Sequence, residues 1–291
     1  MTILVLGSSG QLGKQLVNEL SLKYKVVHFG RTQLDITNLI ETEKTIISSR
    51  PHFILNAAAY TAVDMAEKEK YLAYKVNSEA VDNLAKIAKK HNIHFIHFST
   101  DYVFDGSKEG AYTEKDIINP QSIYGKSKAN GEKAIFESGC IHTVFRTSWV
   151  YSVHGNNFAN SILKLAESRS KLSIVDDQFG IPTSVNFISD MVEKYIQQLS
   201  NISQVELSNQ NIFNIVPSGK TNWLNFASYL IKELSKKGAK FNIDSNGLEG
   251  ISSEIYGAPA VRPSNSCLSN DKLMNFLSIT SCPLWEKYAD Q

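Results

Sequence analysis

Three glycines at equal spacing, in Gly7-Ser8-Ser9-Gly10-Gln11-Leu12-Gly13, follow the apolar run Thr2-Ile3-Leu4-Val5-Leu6 and precede Leu12, Leu16, Val17 and Leu20. The run reads as a buried parallel strand, and the leucines recur with the period of a helix. A strand, a glycine turn and a helix in that order commit a chain to a parallel sheet with helices on its faces. Each glycine has its own reason. Gly7 permits the tight turn, Gly10 lets phosphates approach the backbone at a helix N-terminus, and Gly13 permits close packing of the helix. A glycine turn with no ligand is the bland alternative, and the flanking strand and helix weigh against it.

The second strand, Lys25-Val26-Val27-His28-Phe29, is followed by Gly30-Arg31-Thr32. An acidic residue about twenty positions after the ladder would bind the ribose 2′-hydroxyl of NAD. Here no carboxylate stands there. An arginine in its place favours a 2′-phosphate, so NADPH is the expected cofactor, with NADH as the alternative and a merely solvated Arg31 as the bland reading.

Tyr-x-x-x-Lys occurs twice, as Tyr71/Lys75 and Tyr124/Lys128. A tyrosine one helical turn before a lysine supplies a proton donor whose ionised form the ammonium stabilises. Tyr124 follows the turn signal Asn119-Pro120 and opens a helix-like run, whereas Tyr71 lies in the charged segment Glu67-Lys68-Glu69-Lys70 and reads as a solvated helix start. Tyr124 is therefore the functional copy. Ser99-Thr100-Asp101 follows the strand His94-Phe95-Ile96-His97-Phe98, which puts the Thr100 hydroxyl where chemistry gathers in a doubly wound sheet. His91, His94 and His97 do not make a metal site, because residues three apart on a strand point to opposite faces; no metal is expected.

Strand-like and helix-like runs alternate through Phe53-Ile54-Leu55, Val76 to Lys89, residues 94–98, Tyr124 to Glu137 and Thr143-Val144-Phe145. The expected class is α/β, a Rossmann-type doubly wound parallel sheet with a smaller mixed α/β C-terminal lobe. Residues 1–150 would form the dinucleotide-binding domain and 151–291 the substrate lobe, with 212–216 returning to the main sheet. A net charge of +1 with dispersed basic residues leaves no footprint for nucleic acid or an anionic membrane. The first residues form no signal peptide or span, and Cys140, Cys267 and Cys282 have no metal spacing, so a cytoplasmic protein with structural cysteines is expected.

Several longer blocks carry a family resemblance. They are Gly10-Gln11-Leu12-Gly13, Asn56-Ala57-Ala58-Ala59-Tyr60-Thr61-Ala62-Val63-Asp64, Ser99-Thr100-Asp101-Tyr102-Val103-Phe104-Asp105-Gly106, Tyr124-Gly125-Lys126-Ser127-Lys128, Arg146-Thr147-Ser148-Trp149-Val150-Tyr151 and Asp177-Gln178-Phe179-Gly180-Ile181-Pro182-Thr183. The chain resembles the dTDP-4-dehydrorhamnose reductases, extended short-chain dehydrogenases/reductases of dTDP-rhamnose and cell-surface polysaccharide biosynthesis.

The resemblance implies Thr100, Tyr124 and Lys128 as the catalytic trio. It implies Gln11, Leu12, Asp35, Ile36, Ala59, Tyr60, Thr61 and Lys128 as cofactor contacts, and Thr100, Asp101, Trp149 and Arg262 as contacts to a dTDP-sugar. Cys267 departs from the longer residue expected after Arg262-Pro263-Ser264-Asn265-Ser266. A homodimer is compatible with the family, but some members pair through a magnesium site of glutamates, and Lys14-Gln15 on the first helix does not carry that metal over. A related nucleotide-sugar reductase or epimerase, or a non-catalytic regulatory subunit, stays open at this point; the intact trio argues against the last.

Overall fold

The computed structural model describes residues 1–199, 212–243 and 247–289. The first half alternates β1 (Thr2–Leu6), α1 (Gln11–Leu20), β2 (Lys25–Phe29), α2 (Leu39–Ser49) and β3 (Phe53–Asn56), then α3 (Val63–Ala66), α4 (Lys70–Tyr74), α5 (Ala80–His91), β4 (His94–Thr100), α6 (Ile123–Ser138) and β5 (His142–Thr147). One six-stranded sheet runs in the order Ile212–Asn214, β5, β4, β3, β1, β2. Every pairing in it is parallel. The order reverses between β1 and β3, and in open α/β sheets ligands bind in the crevice beyond the carboxyl ends of the strands at such a point.

Strand alternation sorts the core into two layers. Ile3 and Val5 pack with Leu16, Leu20, Phe187 and Ile188, whereas Leu4 and Leu6 pack with Ile46, Leu84 and Ala85. The first layer joins α1 to the helix Val185–Leu199, and the second holds α2 and α5.

The segment expected as one helix from Val76 to Lys89 is longer and broken. It begins with α4, widens into a π turn over Lys75–Glu79, and continues as α5. The widened turn buries Asn77, whose side chain accepts from Tyr60 N at 2.8 Å and donates to Tyr60 O at 2.9 Å and to Ser127 Oγ at 3.0 Å. No local pattern announces a π turn, because its cause is the set of partners awaiting Asn77 on other elements.

After residue 150, short strand pairs join Val150–Tyr151 to Thr183–Ser184, Leu172–Val175 to Leu248–Ile251, and Phe179–Gly180 to Thr221–Asn222. The helices Phe158–Ser168 and Trp223–Lys236 pack beside them. Phe213 pairs with Phe145, so the strand Ile212–Asn214 extends the main sheet. A cut at residue 150 thus does not follow the layers, since 212–214 lies in the main sheet.

Helix α6 is clamped to the sheet by a buried ion pair. Arg146 at the end of β5 donates to Glu132 through Nε at 3.0 Å and Nη2 at 2.6 Å, and the two side chains are 3% and 1% exposed. Removing one member of such a pair strands a charge in the interior. Glu132→Ala is expected to cost about 3–5 kcal/mol of unfolding free energy, read from urea titrations, while Glu132→Met combined with Arg146→Met should recover most of it. A single variant with wild-type stability would show that the pair contributes little.

Candidate active site

The turn after β1 has the backbone that its glycines anticipate. Gly7 adopts φ +81°, and a Cβ there would stand 2.6 Å from Ala58 N. At Gly10 a Cβ would meet only Gly7 O, at 3.4 Å, so the space in front of that residue is open. No side chain caps α1, which leaves its first N–H groups facing outward. Gly13 lies behind the turn, against Gly7 O.

Gly7, Gly10, Arg31, Asp35, Ile36, Ala59 and Tyr60 line a cavity of about 410 Å³. The Asp35 carboxylate accepts from Thr37 N and Thr37 Oγ1, both at 2.9 Å, and these bonds hold it below its usual range. Lys75 is also on this wall. The lysine of the second Tyr-x-x-x-Lys copy therefore lines this cavity, while Tyr71 is exposed to solvent. Two cations, an open glycine and an uncapped helix end suit a phosphorylated dinucleotide, and the residues fit NADP.

A second cavity of about 430 Å³ shares Gly10 and Ala57 to Ala59 with the first. Gln11, Leu12, Thr61, Thr100, Asp101, Tyr124, Lys128 and Trp149 all reach it. Gln11 Oε1 accepts from Ser152 Oγ at 2.8 Å and Asn157 Nδ2 at 2.7 Å, contacts from the second half that local sequence does not signal. Ser99 Oγ and Thr147 Oγ1, on the same wall, are buried and find no hydrogen-bond partner among the described residues.

Ser122 caps α6 by accepting from Gly125 N at 3.1 Å, which sets Tyr124 in the first turn and Lys128 in the second. Burial pushes the Tyr124 hydroxyl up to about 12, an effect reinforced by the Asp101 charge and partly offset by the Thr100 hydroxyl. Burial is thus the leading influence on this hydroxyl. Lys128 is itself 1% exposed. Its Nζ donates to Phe98 O at 2.6 Å and lies 3.0 Å from His97 Nε2, and burial lowers it to about 8.

Thr100 donates its proton to Asp101 Oδ1 at 3.0 Å, so its hydroxyl must turn to donate elsewhere. Burial also raises the Asp101 carboxyl to about 6.

Trp149 sits at φ +46°, and its ring stacks on Trp223 with centroids 3.4 Å apart and planes 9° apart. The broad face expected for a ligand is therefore a two-ring shelf. Trp223 Nε1 donates to Gln178 Oε1 at 3.1 Å, and Gly180 lies against the Trp149 ring. A lone tryptophan opening a distant helix gives no sequence signal for this partnership. Arg262, expected at the dTDP-sugar, pairs within the chain. Its guanidinium makes bonds of 3.0 and 2.7 Å to the Asp64 carboxylate, and it is not on the wall of either cavity.

The family model for the RmlD substrate binding domain matches residues 1–290. The chain belongs to the dTDP-4-dehydrorhamnose reductase family. A relative of that name from Escherichia coli (strain K12) is 36% identical over 290 residues, covering 98% of this chain and 95% of its own. A crystal structure of dTDP-4-dehydrorhamnose reductase from Bacillus anthracis in complex with NADP is similar with a TM-score of 0.88 and 33% identity, covering 99% of this chain and 97% of that one. A family structure from Clostridium acetobutylicum gives 0.89 and 31%, covering 100% and 97%.

The shelf has a test that needs no ligand. A Cβ at Gly180 would stand 2.4 Å from the Trp149 ring. Gly180→Ala is expected to displace that ring, cost about 1–3 kcal/mol of stability, and shift the tryptophan emission. Unchanged emission and unchanged stability would refute the packing described.

Proposed function

We propose that this chain reduces the C4 ketone of dTDP-4-dehydro-L-rhamnose to dTDP-L-rhamnose. NADPH, held by the glycine turn, Arg31, Lys75 and the loop Ala59 to Thr61, supplies the hydride. The observation that carries the proposal is the convergence of Thr100, Tyr124 and Lys128 on one cavity that shares a wall with the dinucleotide cradle.

The chain's own residues manage the proton. A tyrosine held near 12 keeps its hydroxyl protonated across the neutral range and so stands ready as a general acid. Its proton passes to the carbonyl oxygen as negative charge grows there. The resulting phenolate is buried and costly, which makes it a strong acceptor for a proton from Lys128, one helical turn away. Thr100 turns from Asp101 to the ketone oxygen and polarises it. Trp149, on the wall of the same cavity, would contact the sugar nucleotide. No helix among the described residues is long and apolar enough to cross a membrane, and the proposal places the reaction in the cytoplasm.

Tyr124→Phe removes one hydroxyl from a packed ring, so NADPH binding should persist while turnover falls by roughly 10²–10⁴. Single-turnover oxidation of bound NADPH with the ketosugar present reads this directly, and a wild-type rate would sink the mechanism. Tyr71→Phe, at a solvent-exposed ring, should change neither.

Arg31→Ala is expected to weaken NADPH binding on the order of tenfold to a hundredfold, the worth of a charge-assisted hydrogen bond, and to leave NADH binding almost unaltered. Titration of both cofactors by protein fluorescence checks it. Equal losses for the two would remove Arg31 from the 2′-phosphate.

A further inference from the structure

His97 on β4 has no exposure to solvent, and its ring lies between two polar side chains. Asn56 Nδ2 is 3.2 Å from Nδ1, and Lys128 Nζ is 3.0 Å from Nε2. Counting donors decides which protonation state these contacts satisfy. Asn56 Oδ1 accepts from Ala58 N at 3.2 Å, so the amide presents an N–H to His97 Nδ1. An imidazole that accepts at Nδ1 carries its one proton on Nε2. That proton points at Lys128.

An ammonium has three donors and no lone pair, so it would face Nε2–H donor to donor. A neutral amine accepts from Nε2–H and still donates to Phe98 O, at 2.6 Å. The opposite tautomer only moves the conflict to Asn56, where reversing the amide would strip the Ala58 N–H of its acceptor. A doubly protonated ring would set its Nδ1–H against the Asn56 N–H, and burial holds His97 well below its ordinary value. The other ionisable groups around the pair are Glu132 and Tyr124 on α6, Arg146 on β5, and Asp101 just beyond β4. Glu132 favours the ammonium, but its charge is shared with Arg146, and burial outweighs it to leave Lys128 at about 8.

We propose that Asn56 and His97 are positioning residues for the Lys128 proton: the amide locks the imidazole as the Nε2–H tautomer, and the locked ring favours the amine form of Lys128. This rests on the proton path proposed above and extends it. The Tyr124 O–H bond breaks as the product O–H forms. A Lys128 N–H bond then breaks to restore the Tyr124 O–H, its electron pair staying on Nζ, where it accepts from His97 Nε2–H. A solvent proton entering through the cavity regenerates the ammonium.

The first measurement needs no variant in the observed sample. Long-range ¹H–¹⁵N correlation spectra of the full chain with labelled histidine, assigned with His97→Gln, should show His97 protonated at Nε2 and bare at Nδ1 at neutral pH. A ring protonated at Nδ1 overturns the inference. Asn56→Asp places an acceptor opposite Nδ1, so the tautomer should switch and the alkaline limb of kcat should move up by roughly 1–3 pH units. His97→Gln, which introduces no charge and offers Lys128 a carbonyl oxygen, should move the limb in the same direction. If the limb stays in place in both variants, the coupling is wrong whatever the tautomer. Wild-type turnover in Tyr124→Phe would instead remove the proton path and leave the ring signals as they are, so the two failures are distinct.

Discussion

The site depends on keeping a cation, Lys128, inside the protein at 1% exposure. An ammonium or amine in that position has to be met by polar groups on fixed elements, and these are the Phe98 carbonyl and His97, both on β4. Satisfying Lys128 therefore sets where α6 lies along β4. The Arg146–Glu132 pair ties the same helix to β5, and Asn77 ties it to the loop that carries Tyr60. With α6 held from three sides, the first-turn residue Tyr124 faces the carboxyl ends of the strands.

That geometry also explains why a tyrosine of high pKa is useful here. In a solvated site the neighbouring lysine would be expected to lower it. Burial instead penalises the phenolate, so Tyr124 keeps its proton, which the proposed role as general acid requires. The same desolvation acts in the opposite direction on Lys128 and weakens its hold on its own proton. One dry environment thus favours the neutral tyrosine and weakens the lysine's hold on its proton, as the proposed proton path requires.

Cofactor cradle and reaction chamber share Gly10 and Ala57 to Ala59, and the π turn couples them further. Lys75 begins that turn on the wall of the first cavity, and Asn77, two residues on, bonds to Tyr60 and to Ser127 between Tyr124 and Lys128. A regular α-helix would present these residues at different angles, since each successive residue turns about 100°. The irregularity thus belongs to the site.

The glycine turn, the parallel sheet and the Tyr124/Lys128 pair were legible in the sequence because each is local. The period of Leu16 and Leu20, the turn signal Asn119-Pro120 and a spacing of one helical turn carry their geometry within a few residues. Residues joined only by packing were not legible. Lys75 was set aside as part of a solvated copy of the motif, Arg262 was expected at a ligand and bonds to Asp64, and Trp223 and His97 entered the site unannounced. Their roles come from which helix covers which strand and which loop folds back over the sheet, and that choice is made by burial summed over the whole core. Composition and spacing determined the chemistry this chain carries, whereas only the tertiary structure decided the protonation and orientation of the groups that perform it, because desolvation and hydrogen-bond partners arise from residues distant in sequence.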